Sequence, residues 1–379
     1  SVVANMWTQA ALNETEPPII VAASNNNQAV TNILESFARI EESGGDPTIQ
    51  GRWIPNVNSY GLYLCSQTKA NSGPKHAYLS PDTQGLMKDL QTTEYINKAT
   101  TYFLNKFKEW APKEPVKTVI DAKKIIHKHM TKTQKEIEKG FLCLTEFQLI
   151  QDELEEKVTS LKSINSEIDE DKSFKDLYLK KQRRLKRWLK KHSPKGLENK
   201  TYEDQINDSC DKNLRFKLFK LATHYWEAKW LIETKKFVFN WDEDKKSPAK
   251  LRRKYLRFAK LTPCFVSTFF MVPSFFMGFE KRDDVWKNVP LFDEIDLLIV
   301  DESGQALADV SSASFALSKQ ALIVGDTDQI EPVWNVPASV DIGNLKLSNL
   351  ITNEQPYENF WLESGLLASS GNLMTVSQR

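Results

Sequence analysis

The chain has 379 residues, enough for two or three domains, and carries 51 Lys and Arg against 50 Asp and Glu. That balance excludes whole-molecule attraction to nucleic acid, so any such binding has to come from a local patch. No apolar run approaches the roughly 20 residues that span a bilayer, and Cys65, Cys143, Cys210 and Cys264 are too scattered for a zinc site or disulfide framework; no membrane and a reducing cytoplasm are expected.

Residues 1–12 place Val2, Val3, Met6, Trp7 and Ala10 at helical spacing. Pro17-Pro18 leads into an apolar strand, Ile19 to Ala23, then a polar turn at Ser24-Asn25-Asn26-Asn27 and a helix marked by Val30, Ile33, Leu34 and Phe37. This strand–turn–helix unit belongs to an α/β sheet. Gly44-Gly45-Asp46-Pro47 ends it, and 41–94 reads as a loop-rich connector.

From 95 to 261 the pattern is helical. Ile137, Phe141, Leu144, Phe147, Ile150, Leu154, Val158, Leu161, Ile164 and Ile168 recur three or four residues apart between charged positions, a coiled-coil-like arm. A break at Ser193-Pro194-Lys195-Gly196 predicts antiparallel packing. Lys180 to Lys191 packs eight basic residues around Trp188, a composition for a nucleic-acid backbone, for an acidic partner, or for a solvated helix face opposite Asp152, Glu153, Glu155 and Glu156. His127 and His129 alternate and do not share a helix face, so no metal site is expected there.

The sheet resumes at Cys264 to Thr268, and the aromatics Phe265, Phe269, Phe270, Phe275, Phe276 and Phe279 read as packing. Two wholly apolar runs follow, Leu297 to Val300 and Ala321 to Val324, each expected to be a strand buried on both faces. Each ends in an acidic cluster: Asp301-Glu302-Ser303-Gly304-Gln305 and Gly325-Asp326-Thr327-Asp328-Gln329. Ligands of parallel sheets bind beyond the carboxyl ends of the strands. Adjacent carboxylates there suit Mg-nucleotide hydrolysis, one ordering the metal's water shell and one orienting the lytic water. The Gln329 amide can both donate to a phosphate and accept from a water. Leu373-Met374-Thr375-Val376 predicts a last strand.

These motifs resemble superfamily 1 helicases, in the branch related to the nonsense-mediated-decay helicase and its DNA-processing relatives. Asp301 to Gln305 resembles motif II, and Gly325 to Pro332 resembles motif III with Ile330 in the Leu position. Ser24-Asn25 followed by Ala29-Val30-Thr31-Asn32 resembles motif Ia, with extra Asn residues and Thr31 in place of an acid. Ser267-Thr268 resembles motif Ic; Gln378-Arg379 resembles motif IV, although its two residues are adjacent here. The resemblance covers 1–40 and 262–379 and implies a RecA-like P-loop NTPase parallel sheet interrupted by a helical insertion. It further implies ATP and Mg²⁺ as cofactors, and single-stranded DNA or RNA as partner. By the same resemblance Asp301 holds Mg²⁺ through water and Glu302 activates the lytic water. Gln305, Asp326, Gln329 and Arg379 sense or bind nucleotide, and Ser24, Asn25, Ser267 and Thr268 touch the nucleic-acid backbone.

No Gly-x-x-x-x-Gly-Lys-Ser/Thr phosphate loop occurs in these residues. With Ser1 in place of Met and an abrupt stop at Arg379, the sequence reads as a fragment of a motor that is inactive alone. Two rivals stand. One is a coiled-coil ABC-type DNA-repair ATPase, whose Ser-Gly-Gly signature is missing here. The other is a non-catalytic scaffold whose helical arm binds protein.

Overall fold

The computed structural model describes residues 1–38, 46–81, 85–162, 172–194, 196–197, 199–237, 247–326, 340, 343, 346–348 and 373–378. Strand β1 (Ile20–Ser24) is buried along its whole length because it faces two apolar layers. Val21 and Ala23 join one core with Trp7, Leu62, Phe265 and Leu298. Ile20 and Ala22 join a second with Val30, Leu34, Tyr63 and Val266. Strand period two splits the residues this way, and helices cover both faces of the sheet.

The chain starts with helix α1 (Val2–Leu12), and α2 (Asn27–Ala38) follows β1. The stretch expected to be loop-rich contributes two strands, β2 (Gly61–Leu64) and β3 (Tyr78–Leu79), with short helices α3 (Gln67–Asn71) and α4 (Leu86–Leu90). Then come α5 (Thr93–Trp110), α6 (Val119–Lys162), α7 (Lys172–His192) and α8 (Tyr202–Ser209). A π-helical turn (Cys210–Arg215) runs into α9 (Phe216–Phe237), and α10 is Pro248–Ala259. After β4 (Cys264–Thr268) and α11 (Val272–Phe275) comes a hairpin, β5 (Met277–Arg282) and β6 (Val285–Pro290). The described chain continues through β7 (Leu297–Val300), α12 (Ala308–Ala316) and β8 (Ala321–Ile323).

Six strands form one parallel sheet in the order β3-β2-β4-β1-β7-β8. The fold is therefore α/β with a parallel sheet. Burial on both faces holds for β7 but not for the second acidic-motif strand. Among the described residues β8 pairs only with β7, and Leu322 and Val324 stay exposed. Residues 373–378 are a helix rather than the predicted strand, with buried Leu373 donating its N–H to the Ala306 carbonyl. A run that short carries no periodicity to separate the two states.

The long helices share the sheet's core at their base. Trp7 donates Nε1–H to the Ala259 carbonyl at 2.9 Å, and Trp226 donates to the Trp7 carbonyl at 3.1 Å, tying α1, α9 and α10 together. Helix α9 is buried on nearly all sides, Lys220, Thr223, His224 and Glu227 included. Farther out, α6 and α7 run antiparallel: Lys181 and Arg184 meet Glu146, while Lys191 and His192 meet Glu136. Ile137, Leu144, Phe147 and Ile150 are buried in this arm, as their spacing predicts. Trp188 is buried too, donating Nε1–H to the Glu136 carbonyl, so it is no surface aromatic. The aromatic series divides: Phe265, Phe269, Phe275 and Phe276 are core, whereas Phe270 and Phe279 are exposed, Phe279 stacking on Trp286 of the hairpin.

Candidate functional site at the carboxyl ends of the strands

The parallel register brings the sequence motifs to one edge. Ser24 is level with Thr268, and Ala23 with both Ser267 and Val300. Asp301 N–H donates to the Ala23 carbonyl at 3.0 Å, carrying the ladder one residue past β7. The next residue, Glu302, takes left-handed backbone angles, φ 56° and ψ 44°, and turns the chain into a 3₁₀ turn at Ser303–Gln305. A non-glycine residue there is uncommon, and such backbone collects at functional turns.

The turn is stitched to its neighbours on both sides. Ser303 N–H donates to the Val324 carbonyl at 3.1 Å. Asn25 donates Nδ2–H to the Gln305 carbonyl at 3.1 Å, and Asn26 Nδ2 reaches Gln305 Oε1 at 3.5 Å. Asn26 also accepts from the Ala29 N–H at 2.7 Å, so it is the helix cap, a role neither Ser24 nor Asn25 takes. Gly325 is held to glycine by proximity, since a Cβ there would stand 2.2 Å from Ser303 Oγ.

Among the described residues, three buried oxygens at this edge, Ser24 Oγ, Asn25 Oδ1 and Ser303 Oγ, have no hydrogen-bond partner. Unsatisfied buried oxygens are rare; the Asn25 oxygen can accept a hydrogen bond, and the two serine hydroxyls can accept or donate one. Asp301, Glu302 and Gln305 are half-buried around them, while Asp326 is exposed. Among the described residues no three carboxylate, imidazole or thiol groups form a metal cage. A single carboxylate such as Asp301 suits only an ion that keeps its waters, as Mg²⁺ does.

The edge brings Ser24, Asn25, Asp301, Glu302, Gln305, Thr268 and Asp326 to the ends of four neighbouring strands. Ser267 is set apart, being wholly buried and donating its hydroxyl to the Leu64 carbonyl at 2.8 Å. That bond joins β4 to β2 and leaves its hydroxyl committed. Gln329 and Arg379 lie outside the described residues. Asn26 and Ser303 were not picked out from sequence. Asn26 carried a signal, an Asn just before a helix; Ser303 carried none. No protein-family model matches this chain, and no similar curated protein is found.

Proposed function

We propose that this chain carries the metal- and water-handling half of an ATP-hydrolysing nucleic-acid motor of the superfamily 1 helicase type. The observation that supports it is adjacency: β4, β1, β7 and β8 are consecutive in one parallel sheet, and each ends in one of the chemically competent turns. In such sheets the carboxyl ends are where ligands bind.

Asp301 would hold hydrated Mg²⁺, and Glu302 would orient the attacking water and take its proton. ATP, when bound, supplies the phosphoanhydride to be cleaved. Gln305 sits where Asn25 and Asn26 grip it, so a shift in Gln305 passes directly to the start of α2. That linkage suits a sensor that couples nucleotide state to the grip on a single strand near Asn25 and Thr268. These 379 residues include no phosphate-loop motif and by themselves are expected to hydrolyse no ATP.

The test is Mg-ATP hydrolysis by the protein expressed from its complete reading frame, with and without single-stranded DNA or RNA. Stimulation by either polymer that Glu302→Gln abolishes supports the reading. Stimulation by neither overturns it.

A further inference from the structure

Helix α7 sorts its cations by direction. Those turned toward α6 are matched: Lys181 and Arg184 stand 2.9 Å and 2.8 Å from the Glu146 carboxylate, and Lys191 stands 3.3 Å from Glu136. Lys180, Arg183, Lys186, Arg187 and Lys190 fall on the far side of the helix and are exposed. Among the described residues none of these five has a carboxylate partner. From Lys180 to Lys190 the stripe extends about 15 Å at 1.5 Å per residue.

Two further observations define what fits it. No acidic residue occurs between Lys180 and Lys191. The apolar side chains of the segment, Leu185, Trp188 and Leu189, are all buried on the inner face. The stripe thus offers charge with no apolar anchor. Protein interfaces are centred on desolvated aromatic or aliphatic anchors, and helices that lie on membranes insert an apolar face. Neither has a foothold here.

We propose that the outer face of α7 binds the phosphodiester backbone of a nucleic acid without reading its bases. Two arginines offer planar forks that match phosphate oxygens, and the lysines add point charge along the same line. Cations left beside one another repel, and a polyanion relieves that repulsion while releasing its own counterions. The proposal goes beyond the motor reading and needs neither ATP nor the strand ends.

The experiment measures fluorescence anisotropy of labelled single-stranded and duplex oligonucleotides with the 379-residue chain, without nucleotide, over a range of salt. A variant combining Lys180→Gln, Arg183→Gln, Arg187→Gln and Lys190→Gln is compared with Lys181→Gln/Arg184→Gln, which alters the inner, matched face. The outer variant is expected to lose about 0.7 of the logarithmic salt slope per neutralised contact on a single strand, or about 0.9 on duplex. The inner variant keeps the wild-type slope. The probe whose affinity at fixed salt the outer variant lowers by the larger factor identifies the strandedness. Circular dichroism confirms folding, and Arg183→Glu alone replaces the fourfold variant if that does not fold. An unchanged slope, or no oligonucleotide binding by the wild-type chain, overturns the proposal. The same two variants are measured with anionic vesicles and with polyglutamate, and an outer-variant loss confined to either of these also overturns it. A failed ATPase test leaves these curves unaffected, so the two readings fail separately.

Discussion

Asn25 donates its side-chain N–H to the backbone carbonyl of Gln305 at 3.1 Å, joining turns that lie 280 residues apart in sequence. The bond fixes the end of β1 against the turn after β7, and so fixes the mouth of the candidate site. It also explains why an amide stands at position 25. The carboxamide supplies a donor on one side and leaves Oδ1 as a buried acceptor with no partner among the described residues on the other.

Asn25→Ala removes the bond and the orphaned oxygen together, and is expected to lower stability by about 1 kcal/mol. Asn25→Asp keeps the shape but has no N–H to give, setting a carboxylate against the Gln305 carbonyl. It should cost about 2–3 kcal/mol, more than the truncation. Denaturant unfolding of both variants checks the order. An aspartate as stable as wild type would mean that the donor role is wrong.

The contact between Ser303 and Gly325 gives a second prediction. In Gly325→Ala the new methyl would stand 2.2 Å from Ser303 Oγ and 2.9 Å from the Ser303 nitrogen, so the β7 and β8 ends must separate. A loss of about 1–3 kcal/mol is expected, the range of an overpacked site. Ser303→Ala alone discards a buried hydroxyl that has no partner among the described residues and should be close to neutral. The double variant should recover part of the Gly325→Ala loss, because the nearest clashing atom is gone. Additive losses in a double-mutant cycle would sink this account.

How much of this was legible in the sequence follows from what each residue touches. β1, β4 and β7 announce themselves because a strand covered on both faces is built mostly of apolar residues. β2 and β3 were hidden because Gly61–Leu64 and Tyr78–Leu79 are too short to show a period. Asp301 and Glu302 were placed correctly at a strand end, since an apolar run followed by carboxylates fixes the exit of the chain. The burial of Ser267 was not readable, as its partner, the Leu64 carbonyl, lies 203 residues away. The same holds for α9, where Glu227 and His224 look like ordinary polar positions until Arg52, Trp53 and Ile49 close over them.

The four cysteines give a third prediction. All are buried thiols, and burial pushes Cys264 up to about 12 and Cys65 and Cys210 up to about 11. Thiolate is the reactive form, so the native chain at pH 8 should react with a disulfide reagent far more slowly than a free thiol. All four should react at once in denaturant. Rapid labelling of Cys264 in the native protein would show that β4 opens.

Glu227 anchors the fourth prediction. Its carboxylate takes the Arg52 Nε–H at 2.6 Å, the Trp53 backbone N–H at 3.1 Å and His224 Nδ1 at 2.9 Å. His224 in turn donates Nε2–H to the Ile49 carbonyl and lies flat on the Trp53 ring, 3.7 Å between centroids. Burial on its own would raise the Glu227 carboxyl, but the Arg52 charge and the His224 hydrogen bond outweigh burial and hold it below its ordinary 4.5. A depressed carboxyl stabilises the fold fully above the unfolded value and loses that contribution as pH falls through the folded one. Stability should therefore be level above about pH 4.5 in this respect and decline below it. Glu227→Gln removes the charge that Arg52 needs and should cost about 3–5 kcal/mol, the penalty for stranding a buried cation. It should also flatten the acid limb of the stability curve, because the titrating group is gone. Arg52→Met/Glu227→Met replaces the pair with apolar bulk and should recover part of the loss, leaving His224 Nδ1 and the Trp53 N–H without their acceptor. Urea unfolding between pH 3 and 8 measures all three chains, and an acid limb unchanged in Glu227→Gln would assign the pH dependence to other carboxylates.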